Sequence, residues 1–196
     1  MVGKITRDVL ESHLTCKYKC HLKLAGLQGS ASYFEDWLVE SKAREKRDVI
    51  ANLLAHYRGC TIVRGTALDV STLKNASDVI LDGRAEDQLL SLRFDALIKV
   101  DGVSNLGQFH YVPILFHEGE AQPRQRLLLE IFGLILLELQ GRAPGTGLIW
   151  RSTDTPTTIR LSPELKSAKS EMEKIKQAQS DASAPMLVRT SLCRNR

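Results

Sequence analysis

Cysteine is scarce in this chain. The 196 residues hold 4 of them, at positions 16, 20, 60 and 193, too few for a disulfide scaffold at this length. Long apolar runs are missing too. The most apolar stretch, Leu127 to Leu139, is interrupted by Glu130 and Glu138 and reads as a buried helix, not a bilayer span. The opening MVGKITRDVLE has no apolar core of the kind a secretory signal carries, so no signal peptide is expected. Together these absences point to a reducing cytosol, with the thiols serving as buried filler or metal ligands. Neither sign of charge dominates: 27 Lys+Arg stand against 23 Asp+Glu, a net charge of +4. That excess permits a nucleic-acid partner without arguing for one. No GxGxxG or GxxxxGK[ST] loop offers a phosphate cradle, no Gly-x-Ser-x-Gly elbow offers a nucleophile, and no internal repeat occurs.

What is present suits one α/β domain. Hydrophobic residues make up 43% and charged residues 26%, an ordinary composition for a domain with its own core. Residues 5–26 read as a helix capped by Thr6 and ended by Gly26. Ser32 and Glu35 form a capping box for a second helix that ends at Gly59. From Cys60 the period shortens, and CTIVRG, DVILDG, LSLRFDALIKVDG and FHYVPILFHE each suit a strand. A helix over about 123–140 follows, then strands GLIWRS and TTIRLS and a helix opening at Pro163. The middle strands succeed one another without helical crossovers, so a mixed central sheet with a mostly antiparallel middle is expected, flanked by helices. This divides the chain into an N-terminal helical part (1–58), a sheet core (59–162) and a C-terminal helix (163–180). Residues 181–196 lose periodicity and read as a flexible tail.

Chemistry is best placed on one strand pair. Asp95 interrupts the apolar LRFDALIKV, where a carboxylate is costly unless it is paired or holds a cation. Counting outward from the DGVSNLG loop sets residues 89–118 as an antiparallel hairpin with Asp95 opposite Ile114 or Leu115. The partner strand runs out into His117, Glu118 and Glu120. Two readings stand side by side. In the plain one, Asp95 pairs with a base such as Arg93 or Lys99, and the acids are the wet end of a strand. In the other, Asp95 is one ligand of a divalent cation.

The second reading matches a known pattern. The segments ITRDVLESHLTCKYKCHLKLAG, LSLRFDALIKVDG, FHYVPILFHEGE, QRLLLEIFGLILLELQGRAPGTGLIW and TTIRLSPELKSAKSEMEKI resemble RecB-like nucleases of the PD-(D/E)-x-K type. The resemblance is strongest to the N-terminal nuclease domain of long bacterial nuclease–helicase proteins, and it spans nearly the whole chain. It implies a restriction-endonuclease-like core and hydrolysis of DNA phosphodiesters with Mg²⁺ or Mn²⁺. It further implies single-stranded DNA or DNA ends as substrate and a helicase domain as neighbour in longer relatives.

The motif itself is broken. Such nucleases carry Tyr-x-Pro-x-acid-x-Lys on the second strand; here Tyr111 and Pro113 keep the frame, but Leu115 stands at the acid and His117 at the lysine. A bulge between Phe116 and Glu118, helped by Gly119, would bring Glu118 round as a substitute ligand, with His117 as ligand or general base. Gln125, which shares a helix face with Phe132, matches the Gln of the family's following helix. The resemblance therefore assigns Asp95, His117, Glu118 and Gln125 to catalysis, with Asp95 and Glu118 on the metal. It implies weak or absent cleavage, the alternative being a non-catalytic module that binds DNA or braces a helicase. Some relatives hold a [4Fe–4S] cluster between one N-terminal and three C-terminal cysteines. Here Cys16, Cys20 and Cys193 are the matching thiols, two short of that C-terminal set. Cys60 reads as a small buried hydrophobe.

Overall fold

A computed structural model of the chain describes residues 3–27, 33–153 and 155–180. The N-terminal part comprises β1 (Ile5–Thr6), α1 (Arg7–Thr15), α2 (Lys17–Leu24) and α3 (Tyr33–His56). Next come β2 (Ile62–Arg64), α4 (Val70–Lys74), β3 (Val79–Leu81), β4 (Arg84–Glu86), β5 (Leu90–Arg93), β6 (Ala96–Ser104) and β7 (Gly107–Phe116). The chain continues through α5 (Pro123–Gln140), β8 (Thr146–Trp150), β9 (Thr157–Arg160) and α6 (Lys166–Ser180).

Six strands form a mixed sheet in the order β2-β3-β6-β7-β8-β9, and β1-β5-β4 form a second, three-stranded sheet. Antiparallel β3, β6 and β7 make the middle of the large sheet, while β8 runs parallel to β7 after the α5 crossover. The fold is thus α/β, with the meander, crossover helix and parallel strand of a restriction-endonuclease-like core.

Strand alternation feeds two cores. Ile80, Leu97, Tyr111, Leu115 and Ile149 pack with Leu129, Phe132 and Leu136 of α5. Their neighbours Val79, Leu81, Ala96, Ile98, Val112 and Ile114 face Val49 and Leu53 of α3. A strand covered on both faces needs an almost unbroken apolar run, which is why FHYVPILF reads as it does. Gln140, fully buried at the end of α5, serves as a stand-in strand for β7. Its amide accepts from the Tyr111 N–H at 2.8 Å and donates to the Tyr111 carbonyl at 3.1 Å and the Arg142 carbonyl at 2.9 Å. Gly141 then closes the helix at φ 66, a left-handed conformation that glycine adopts without steric cost.

Several expectations change. The single N-terminal helix is two: Cys16 is extended (φ −155, ψ 109), ending α1 and starting α2. The Thr15 hydroxyl bonds the Glu11 carbonyl at 2.8 Å, a competition that bends helices. Thr6 does cap α1, accepting from the Val9 N–H at 3.3 Å. The expected 89–118 hairpin begins only at Ala96, because residues 90–93 leave for the small sheet, between β1 and β4. Short β1, α4 and β4 were not foreseen. The last helix opens at Lys166, not at Pro163, and Cys60 is exposed. The tail and Cys193 lie outside the described residues. Among those that are described, no helix is long and apolar enough to cross a membrane.

Candidate functional site

The chain turns between its two sheets twice, and the two turns meet. One is Asp82-Gly83 after β3; the other is Phe94-Asp95 between β5 and β6. They are stitched together by the Asp82 N–H on the Asp95 carbonyl at 3.0 Å and the Phe94 N–H on the Gly83 carbonyl at 2.9 Å. Gly83 lets the turn pass close to Leu68: a Cβ there would come within 2.8 Å of the Leu68 side chain, which would have to shift. Asp82 takes a left-handed φ of 53, a conformation Asp tolerates better than most residues. Two carboxylates are thereby presented at one junction.

Each carboxylate is compensated by cations from elsewhere. Asp95 is 4% exposed. Its Oδ1 lies 2.6 Å from the Arg7 guanidinium and 3.8 Å from Lys46 Nζ, and its Oδ2 accepts the Phe116 N–H at 3.0 Å. Arg7 comes from α1, packed on the α5 side, and sits 5.8 Å from the centre of the Phe132 ring. Burial works against the Arg7 charge, but Asp95 and then Glu11 outweigh it and hold the guanidinium above its ordinary value. Lys46 comes from α3 and also donates to Asp82 at 2.7 Å, where Arg93 lies at 3.1 Å. Burial would raise the Asp82 carboxyl, yet Lys46, Arg93 and Arg64 bring it below the ordinary value. The plain reading pairs Asp95 with a base such as Arg93 or Lys99; Asp95 does pair with bases, but they are Arg7 and Lys46, while Arg93 serves Asp82 and Lys99 holds Asp78 at 2.6 Å.

The remaining predicted site residues are nearby in sequence but otherwise engaged. The register Ala96↔Ile114 puts Asp95 one step further on, beside Leu115, which is buried. β7 and β8 stay in regular register through Phe116↔Trp150, so no bulge up to that point swings Glu118 round. Glu118 accepts the Ser152 N–H at 2.8 Å. His117 donates its backbone N–H to the Trp150 carbonyl at 3.2 Å, and burial first of all pushes its imidazole below the ordinary value. Gln125 is buried, its Oε1 accepting from the Gln122 N–H at 3.2 Å in a capping box. Phe132, its partner on the helix face, does reach the junction through Arg7 and by stacking on Phe94 with centroids 4.5 Å apart. Asp82, Arg7 and Lys46 were missed. Only the cost of an isolated buried Asp95 hinted that some cation had to be found.

Neither implied cofactor fits these donors. A hard divalent cation needs several oxygen ligands, whereas the oxygens of Asp95 are taken by Arg7 and a backbone N–H, and Leu115 supplies none. Among the described residues, no three His, Cys, Asp or Glu side chains gather as a metal site would require. An iron–sulfur cluster needs thiolates, but Cys20 is packed in the main core and burial pushes its thiol up to about 11. Cys16, partly buried, caps the start of α2, its carbonyl accepting the Cys20 N–H at 3.1 Å. No protein-family model matches the chain, and no curated protein is significantly similar to it.

Proposed function

We propose that this chain is a RecB-like nuclease domain that binds DNA and whose phosphodiester cleavage is weak or absent. One observation carries the reading: the single motif acid, Asp95, is buried against Arg7 beside a leucine, where a second carboxylate would be needed. Such an aspartate is a structural ion-pair partner, and its charge is already neutralised without a divalent ion. The topology around it supports descent from a nuclease core, and the cations at its rim support an anionic partner. The proposal includes a reducing, cytosolic setting, in line with the few cysteines of the chain.

The test is a cleavage assay on single-stranded DNA with Mg²⁺ or Mn²⁺, run beside a binding measurement, for the wild type and Asp95→Asn. Binding without appreciable cleavage is expected from both, with circular dichroism run alongside to show that Asp95→Asn, which leaves Arg7 without its carboxylate, is folded at the assay temperature. Robust metal-dependent cleavage that disappears in Asp95→Asn would overturn the degenerate-site reading. The pair Leu115→Glu with His117→Lys restores the generic motif. Cleavage gained by that variant shows that the junction still presents a usable site.

A further inference from the structure

The small sheet carries a like-charge pair at the end of its β4–β5 ladder. Arg84 on β4 stands directly opposite Arg93 on β5. Opposed residues of an antiparallel pair project from the same face, and like charges there weaken the sheet. Both arginines are exposed, while their neighbours Ala85 and Leu92 are buried. The protein offsets this repulsion only in part. Arg93 shares Asp82 with Lys46. Glu86, the acid of β4, is held by Lys4 at 2.7 Å. Arg84 and Arg64, the latter at the end of β2, close no ion pair among the described residues, although the field of Arg84 reaches Glu86 and that of Arg64 reaches Asp82. Arg7 and Lys46 are spent on the carboxylates of the junction, and Arg93, 55% exposed at its side chain, is engaged there only from the outside, through Asp82.

We propose that Arg84, Arg93 and Arg64 form a clamp for the phosphodiester backbone of a DNA single strand, set beside the Asp82–Asp95 junction. The inference rests on the DNA reading above and adds the residues that hold the strand. A guanidinium presents a planar fork that takes phosphate oxygens two at a time. A phosphate lying across Arg84 and Arg93 turns their mutual repulsion into shared attraction, so ligand and small sheet stabilise each other. Lysines tied to carboxylates would not do this, and an apolar or zwitterionic partner would leave the repulsion standing.

The experiment uses the full chain and a labelled oligonucleotide of about 16 nucleotides, the upper end of a single-strand site, with anisotropy followed over a range of salt. Wild type is compared with the double variant Arg84→Gln, Arg93→Gln and with a distant control, Lys166→Gln, Lys169→Gln on α6. The arginine variant is expected to bind roughly tenfold more weakly or worse, with a salt slope shallower by about 0.7 for each phosphate it no longer neutralises. The control should bind as the wild type does. Without DNA the single variant Arg84→Gln should melt at or above the wild-type temperature, because a repulsion has been removed and no ion pair among the described residues is broken. Should that double variant fail to fold, Arg84→Gln alone, which breaks no ion pair among the described residues, is read in the same way. Unchanged affinity and slope in the arginine variant would overturn the clamp and leave the DNA reading standing. A wild type that binds no oligonucleotide sinks both. If vesicles of anionic lipid bind the wild type and lose it in the arginine variant, while oligonucleotide binding is unaltered, the arginines serve a lipid headgroup and the clamp is overturned.

Discussion

Arg7 and Asp95 form a buried ion pair, 2.6 Å apart, that joins the first helix to the edge of the central hairpin. Asp95 keeps 6% of its side-chain surface and Arg7 23%, so neither charge is well served by water. Removing one partner of such a pair strands the other and is strongly destabilising. Arg7→Ala is therefore expected to cost about 3 kcal/mol in urea unfolding. Arg7→Met combined with Asp95→Leu, which removes both charges, should regain most of that loss. A double variant no more stable than Arg7→Ala would show that the pair is not acting as an isolated unit.

Gln140 makes a second expectation. Its carboxamide serves the Tyr111 N–H and the carbonyls of Tyr111 and Arg142 in a fully buried setting. Gln140→Leu keeps the bulk but orphans these groups, at a cost of about 2 kcal/mol. Tyr111→Phe, which loses only the hydroxyl bond to the Ser77 carbonyl at 2.8 Å, should cost about 1 kcal/mol. Equal losses from the two variants would contradict the clasp.

His110 gives the fold a pH dependence. It lies opposite Val100, with its Nδ1 buried and without a hydrogen-bond partner among the described residues. Burial, and then the Arg142 charge, hold its imidazole below the ordinary value of 6.5, against a weaker opposing hydrogen bond with the Gly102 backbone. The unfolded chain then binds the proton more readily than the folded one, so stability falls as the pH drops through 6.5. His117 is displaced in the same direction. Melting temperature should decline between neutral pH and the range below 6 or so, and His110→Gln should flatten part of that decline. A His110→Gln profile parallel to the wild type would show that His110 plays no part in it.

The thiols should separate kinetically. Cys20 is 1% exposed, with its thiol pushed up to about 11 by burial, whereas Cys60 is exposed. Only the thiolate reacts readily. Peptide mass mapping after brief alkylation near neutral pH should find Cys60 modified and Cys20 protected until the chain is unfolded. Early labelling of Cys20 would mean that the packing of α2 opens in the native state.

Much of the architecture could be read from periodicity. The helix over 123–140 was legible because Pro123 opens it, Gly141 closes it and apolar residues fill most of the turns between. The strand pair was legible because its alternation and short loop fix a register that puts Asp95 beside Leu115. Where two local signals conflicted, reading failed. LSLRFDALIKVDG looks like one strand, and only the competition of β1 and β4 for residues 90–93 divides it. The helical spacing around Cys16 likewise suggested one continuous helix, and the backbone break there left no compositional trace.

By itself, then, the sequence determined that this is an α/β chain with a mixed sheet, and that Asp95, a lone carboxylate in an apolar strand pair, must find a cation. Those are consequences of local spacing and of the cost of burying a charge. Which cation it finds was decided only in three dimensions. Arg7 and Lys46 belong to helices far away in the chain, and they meet Asp95 because both faces of the sheet must be covered by helices to bury their apolar side chains. Periodicity tells a residue which face it occupies, but the partner across that face is set by packing, and packing is a property of the whole fold.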